Sequence, residues 1–299
     1  MKTFIKKCFV FSVFSALIIT IILSIELNSY LKGYTKVDTN FKNYLLSDSY
    51  GNALGKSTSE FGLFNFSAPG ESYYDMLLKL KFLVNYANPK RVFISIDDHN
   101  LSEYREVYNN HEKSIFLRSS DNFSNLGRYL KVVWIDNFYF NQEMKTVFQN
   151  IISYRIINFF TFNEKDQGNT VSFADFSEDE KAKDINGTIQ ATFLKKKSIL
   201  MEECLEQMIQ ICKINNIELV ALKFPLTKDF YDKIQTLGFL PTDLLTKNNI
   251  TLHDFTDIYF TNDTLFYNHN HLNERGAKNF NKLINVIFFQ NENEDYFNN

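Results

Sequence analysis

The sequence predicts an α/β protein, a mostly parallel sheet covered by helices on both faces, preceded by one transmembrane helix. Three observations carry the prediction. From residue 43 onward, strand-like and helix-like segments alternate, the pattern of parallel strands joined by crossover helices. Before them, an uncharged run from Cys8 to Ile25 follows three lysines. The composition is that of a folded chain: of 299 residues 44% are apolar, and 32 Lys+Arg against 35 Asp+Glu leave a net charge of −3. That balance excludes a disordered polyion and leaves no field to draw the molecule to nucleic acid.

The N-terminal run comes first. Residues 8–25 at 1.5 Å each span roughly 27 Å, close to the hydrocarbon thickness of a bilayer. A cleaved signal peptide has a shorter apolar core followed by a small-x-small site, and Glu26-Leu27-Asn28-Ser29-Tyr30 offers none. Lys2, Lys6 and Lys7 hold the N-terminus in the cytoplasm. Residues 1–26 are therefore expected to be a cytoplasmic stub and single-pass anchor. The main domain, 27–289, is expected on the periplasmic or extracellular side, with a polar tail at 290–299.

Asn43 to Leu46 forms a short strand ending in Ser47-Asp48-Ser49, and Gly62 to Phe66 a second, closed by Ser67-Ala68-Pro69-Gly70. Glu71 to Tyr86 carries Tyr73, Met76, Leu77, Leu80 and Leu83 at helical spacing, and Asn88-Pro89 stops it. Arg91 to Ile96 is the clearest strand, running into Asp97-Asp98-His99-Asn100. Residues 195–215 form an amphipathic helix, Ile217 to Phe224 a strand stopped by Pro225, Thr251 to Phe255 the last strand, and Asn273 to Phe289 the last helix. Residues 101–190 break the alternation and are expected as an insertion over the C-terminal edge of the sheet, with a mobile polar stretch near 163–187. Trp134 to Phe140 reads there as satellite core or, more sharply, as a sugar-stacking platform.

Cys8, Cys204 and Cys212 make no disulfide framework, and no Cys-x-x-Cys or His-x-x-x-His spacing exists for zinc. Asp97 and Asp98 are adjacent on a strand end, so their carboxylates point apart and do not form a metal site. No metal is expected.

Two segments carry the chemical signal. Leu45-Leu46-Ser47-Asp48-Ser49 runs from a strand into a tight turn opening a helix, where backbone N–H groups and the helix dipole favour an anion beside Ser49. His269-Asn270-His271-Leu272-Asn273-Glu274-Arg275-Gly276-Ala277 is a loop that opens the last helix. Each has a plain structural reading too: Asp48 or Ser49 as a helix N-cap, Asn273 as another, Gly70 as a turn glycine, and His269 as a polar loop residue.

Together, an early Asp-Ser turn and a late His-Leu-Asn-x-x-Gly-Ala segment resemble the SGNH/GDSL hydrolase superfamily. The resemblance implies a flavodoxin-like three-layer α/β/α sandwich. It implies Ser49 as nucleophile, in one block with Asp48, and His271 as base. Oxyanion donors would be the Ser49 N–H, Gly70 and Asn100. Two departures stand out. Ser47 replaces the block's glycine, which a turn accepts if φ there is negative. Asn268 stands where the family has an Asp to orient and charge-balance the histidine; in serine proteases the same exchange costs roughly 10⁴-fold, there through the wrong tautomer. This leaves three readings: a Ser-His dyad, a carboxylate recruited from Asp263 or Asp257, or an inactive descendant.

Anchor and site together imply an extracytoplasmic serine esterase or O-acyltransferase acting on acyl, in particular acetyl, esters of a cell-surface polysaccharide, with no metal or organic cofactor. The alternative is a non-catalytic envelope protein of the same fold, binding glycan or an assembly partner. The catalytic reading requires Ser49 Oγ about 2.6–3.2 Å from His271 Nε2.

Overall fold

The apolar N-terminal run lies in a single helix, α1 (Lys2–Thr35), which continues past Glu26. In this computed structural model the described residues are 2–119, 149, 151–153, 172–193 and 195–290. They fall into two compact units, one holding residues 2–36 with 149 and 151–153, the other holding 37–119 and 172–290. Over Lys2–Leu31 α1 is long and apolar enough to cross a membrane, and Phe9, Phe11, Phe14, Ile19 and Ile22 are all exposed along it.

The second unit alternates as its pattern requires. In chain order come β1 (Asn43–Leu46), α2 (Ser49–Asn52), β2 (Leu63–Asn65), α3 (Tyr73–Tyr86), β3 (Arg91–Ser95), α4 (Tyr104–Val107) and α5 (His111–Ser119). After the undescribed residues follow α6 (Glu178–Thr188), a π turn at Ile189–Phe193, α7 (Ile199–Ile214), β4 (Glu218–Lys223), α8 (Lys228–Ile234) and α9 (Thr242–Lys247). The chain closes with β5 (Leu252–Asp254), a short antiparallel hairpin of β6 (Phe266–Asn268) and β7 (His271–Leu272), and α10 (Glu274–Phe288).

Five strands form one sheet in the order β2-β1-β3-β4-β5, every neighbour pair parallel. This is the flavodoxin-like order, and it has a switch point between β1 and β3, where connections leave in opposite directions and open a crevice beyond the strands' C-terminal ends. The period-2 alternation of the strands sorts the core. Leu45, Phe93, Val220 and Leu222 share one hydrophobic cluster with Phe280 and Ile284 of α10. The intervening Tyr44, Leu46, Val92, Ile94 and Ala221 are equally buried on the opposite face, where α3 and α7 pack together and bury Met76, Leu80, Leu205 and Met208. Cys204 and Cys212 belong to that layer, and burial pushes their thiols up to about 11 and about 12.

The stretch around 163–187 departs from expectation. Its described part, 172–187, is regular: a 3-10 turn at Phe173–Asp175 leads into α6, whose Ser177–Glu180 capping box satisfies the first turn. The segment looks polar because only one side is buried; its sparse apolar residues Phe173 and Ile185 both lie in the core. The excursion that began at 101 closes on a stem, where Ser198 N donates to Leu101 O at 2.7 Å and Glu103 N to Lys196 O at 2.9 Å. Trp134 to Phe140 and the tail beyond 290 lie outside the described residues.

Candidate active site

Ser47 to Ser49 leave the C-terminal end of β1 at the switch point, and Asp97 to Asn100 leave that of β3. Ser47 is buried, its φ is not positive, and its Oγ accepts from Gly51 N at 3.1 Å, so a serine fits where the family has glycine. The glycine this turn does need is Gly51, since a Cβ there would lie 2.4 Å from Ser47 Cβ. Asp48 caps α2 by accepting from Tyr50 N at 3.0 Å, which leaves the Ser49 side chain free for other work.

Ser49 Oγ lies 2.7 Å from His271 Nε2, and His271 Nδ1 lies 3.0 Å from Asn268 Oδ1. The surrounding bonds settle the tautomer. Asn268 Oδ1 also accepts from His271 N at 2.9 Å and Asn270 N at 3.2 Å. Two backbone N–H donors demand an oxygen at that place, so the Asn268 NH₂ faces away and the ring must carry its proton on Nδ1. Nε2 is then the free acceptor that a base toward Ser49 requires. Both ring nitrogens are engaged, so His271 recruits no carboxylate; Asp263 pairs instead with Lys181 at 3.7 Å. Burial holds His271 down to about 4, against the opposing pull of Asp48.

The last helix explains the residues after His271. Asn273 caps α10 by accepting from Gly276 N at 3.0 Å, while its amide donates to Thr264 O at 2.9 Å and Phe266 O at 3.3 Å. A Cβ on Gly276 would lie 2.1 Å from Leu265 O. These residues lock the hairpin onto α10 and thereby fix His271. His269 is no loop surface residue. It is 1% exposed, its Nδ1 lies 2.5 Å from Asp184 Oδ2 of α6, and its carbonyl accepts from Thr227 N and Oγ1. Burial lowers its pKa, so the neutral ring donates to Asp184.

Beneath Ser49 lies a set of charges that sequence reasoning did not find. Asp48 Oδ2 pairs with Arg105 Nη2 and accepts from His99 Nε2 at 2.7 Å. Burial would raise the Asp48 carboxyl, but Arg105 and then His99 outweigh it and hold it well below the usual range. His99 is itself lowered, by burial and then by Arg105, so the contact is a hydrogen bond from a neutral imidazole rather than an ion pair. Tyr50 sits edge-on to both histidines, 5.1 Å from each ring, and its hydroxyl accepts from Asn270 Nδ2 at 2.9 Å. Neither Arg105 nor His99 belongs to a motif; only spatial proximity to Asp48 reveals them.

Ser49, Gly70, His99, Arg105, Asn268 and His271 line one cleft of about 390 Å³. Gly70 sits there at φ +80, a conformation suited to glycine. Thr188 and Thr192, at the end of α6 and in the π turn, close the far wall. Asn100 does not line the cleft. It is fully buried, and its Oδ1 turns back to accept from Asp97 N at 2.7 Å. Asp97 and Asp98 point apart, to Phe224 N at 3.0 Å and Lys223 at 2.9 Å. Among the described residues no group of three or more His, Cys, Asp or Glu is placed to hold a metal ion.

No protein-family model matches the chain, and no curated protein matches it. Among solved structures it is similar to a GDSL-like lipase from Bacteroides thetaiotaomicron VPI-5482, at 11% identity and a TM-score of 0.39, covering 86% of this chain and 93% of that one. It is also similar to the psychrotrophic esterase EstA from Pseudoalteromonas sp., at 12% identity and a TM-score of 0.36, covering 86% of this chain and all of the other.

Proposed function

We propose that this chain is an SGNH/GDSL-type serine esterase or O-acyltransferase, anchored by α1 and acting outside the cytoplasm on acyl, in particular acetyl, esters of a cell-surface polysaccharide. One observation carries the proposal: the 2.7 Å contact between Ser49 Oγ and a His271 Nε2 whose lone pair is fixed toward it by Asn268. In the proposed reaction Ser49 attacks the ester carbonyl and His271 takes its proton, then returns it to the leaving alcohol. Water or a sugar hydroxyl resolves the acyl-enzyme. In this reading the Ser49 N–H at the start of α2 and the Gly70 N–H are the backbone donors for the developing oxyanion. The polar cleft wall of Thr188 and Thr192 supports a hydroxylated substrate. The lysines that precede the apolar run within α1 support the outward orientation.

The test is covalent labelling of the detergent-solubilised full chain with a fluorophosphonate, read by intact mass beside Ser49→Ala and His271→Ala. The expected result is one adduct that requires both residues. A folded wild type that takes no label overturns the enzyme and leaves the rival reading, a glycan-binding protein of the same fold, which the absent carboxylate at 268 favours.

A further inference from the structure

We propose that Arg105 is a catalytic residue of this site, its Nε–H donating to the ester carbonyl oxygen as that oxygen takes on negative charge. The inference rests on the esterase reading. Asn100, the side-chain donor that the family resemblance implies, is fully buried and does not line the cleft; its Oδ1 accepts from Asp97 N, and its Nδ2 is buried without a hydrogen-bond partner. His99 lines the cleft but, neutral and donating from Nε2 to Asp48, has only a lone pair at Nδ1 and offers an oxyanion nothing. Arg105 remains. Among the described residues lining the cleft it is the one ionised side chain. It is 4% exposed, yet its Nε–H has no hydrogen-bond partner. A buried charged donor left unpaired is costly, and natural structures keep such a group where a ligand completes it.

Its position fits the role. Nη2 is fixed on Asp48, the residue before the nucleophile, and the Arg105 charge is felt at His271, whose basicity it lowers. A guanidinium held on one edge by a carboxylate cannot swing, so its other donors, Nε–H among them, are oriented before the reaction begins. As Ser49 Oγ bonds to the ester carbon, the Oγ proton passes to His271 Nε2 and the carbonyl π pair moves onto oxygen, where Arg105 meets it. On collapse that pair re-forms the carbonyl, the bond to the leaving alcohol breaks, and the alcohol takes the proton from His271. Arg105 keeps its own protons throughout.

The test is steady-state hydrolysis of p-nitrophenyl acetate by the detergent-solubilised full chain. The variants are Arg105→Lys, Arg105→Gln, Asp48→Asn, and Arg105→Gln combined with Asp48→Asn so that no buried carboxylate is left unpaired. Folding is followed by near-UV circular dichroism. The expected result is a kcat lower by about 100-fold on losing Arg105, in either background, with KM nearly unchanged and Arg105→Lys intermediate. Recovery of kcat in the double variant to the Asp48→Asn level would reduce Arg105 to a counter-ion. A raised KM with kcat preserved would make it a substrate anchor. Either result overturns the proposal, as does wild-type kcat in Arg105→Lys. A wild type that neither turns over nor takes the fluorophosphonate refutes the esterase reading and this proposal together; one that labels while the Arg105 variants keep kcat refutes this proposal alone.

Discussion

At position 268 an amide stands where a carboxylate would hold the base, and the hydrogen bonds around it decide what that exchange costs. An amide opposite a catalytic histidine is damaging chiefly when its NH₂ group faces the ring and selects the wrong tautomer. Here His271 N and Asn270 N pin the oxygen inward, so the tautomer is kept and only the charge is missing. Asn268→Asp then keeps the acceptor, gives up only an NH₂ that faces away from the ring, and places an anion 3.0 Å from Nδ1. His271 should rise from about 4. The acid limb of kcat/KM should move to higher pH, and kcat/KM at pH 7 should increase about tenfold or more, measured by ester hydrolysis from pH 3.5 to 8. An unchanged limb would mean that another group sets it. The wild type has a matching stability signature. Its unfolded chain takes up a proton at this histidine below about pH 6.5, whereas the folded chain resists until about 4. Stability from this group is therefore full above pH 6.5 and falls by about 3 kcal/mol as pH drops to 4.

The elements show what a sequence displays and what it conceals. β1, β3, β4, α3, α7 and α10 are legible because each repeats an apolar period long enough to count, and the structure places them within a few residues of where that period does. The β6–β7 hairpin has no such signal: its strands are three and two residues long. Yet it carries His271, and its register comes from tertiary contacts through Asn273, Gly276 and the His269–Asp184 pair across 85 residues of sequence. Ser49 and His271 could be read because a short motif marks each. Arg105 and His99 could not, since burial of a charged group beside Asp48 leaves no trace in a linear pattern. The same physics predicts that Asn273→Ala does more than remove a helix cap. A cap alone is worth about 1 kcal/mol, but Asn273 also donates to the carbonyls of Thr264 and Phe266 that hold β6. Urea denaturation should show a loss of about 2 kcal/mol or more. Ester turnover under fully folded conditions should also fall, because His271 loses its fixed distance to Ser49. Stability lost with turnover intact would show that α10 is a support and not a positioning element.

On the scale of the whole molecule, the chain joins a helix fit to cross a membrane to a unit that holds a buried Asp48–Arg105 pair beside Ser49 and His271. The proposed substrate requires that unit to lie outside the cytoplasm, and the charges at the two ends of the apolar run in α1 favour that orientation. Lys2, Lys6 and Lys7 precede the apolar run, while Glu26 alone follows closely before Lys32 and Lys36. Three cations at the leading end favour retention of the N-terminus on the cytoplasmic face. A chain carrying an N-terminal epitope, expressed in a bacterial host and converted to spheroplasts, tests this directly. External trypsin should remove the 37–290 unit and leave the epitope protected with α1 in the membrane fraction. Replacing Lys2, Lys6 and Lys7 by Glu should weaken or invert that protection, because it removes the asymmetry that sets orientation. Protection of the 37–290 unit in intact spheroplasts, with the epitope digested, would place Ser49 on the cytoplasmic side and remove the surface polysaccharide as substrate, while leaving the Ser49–His271 chemistry standing.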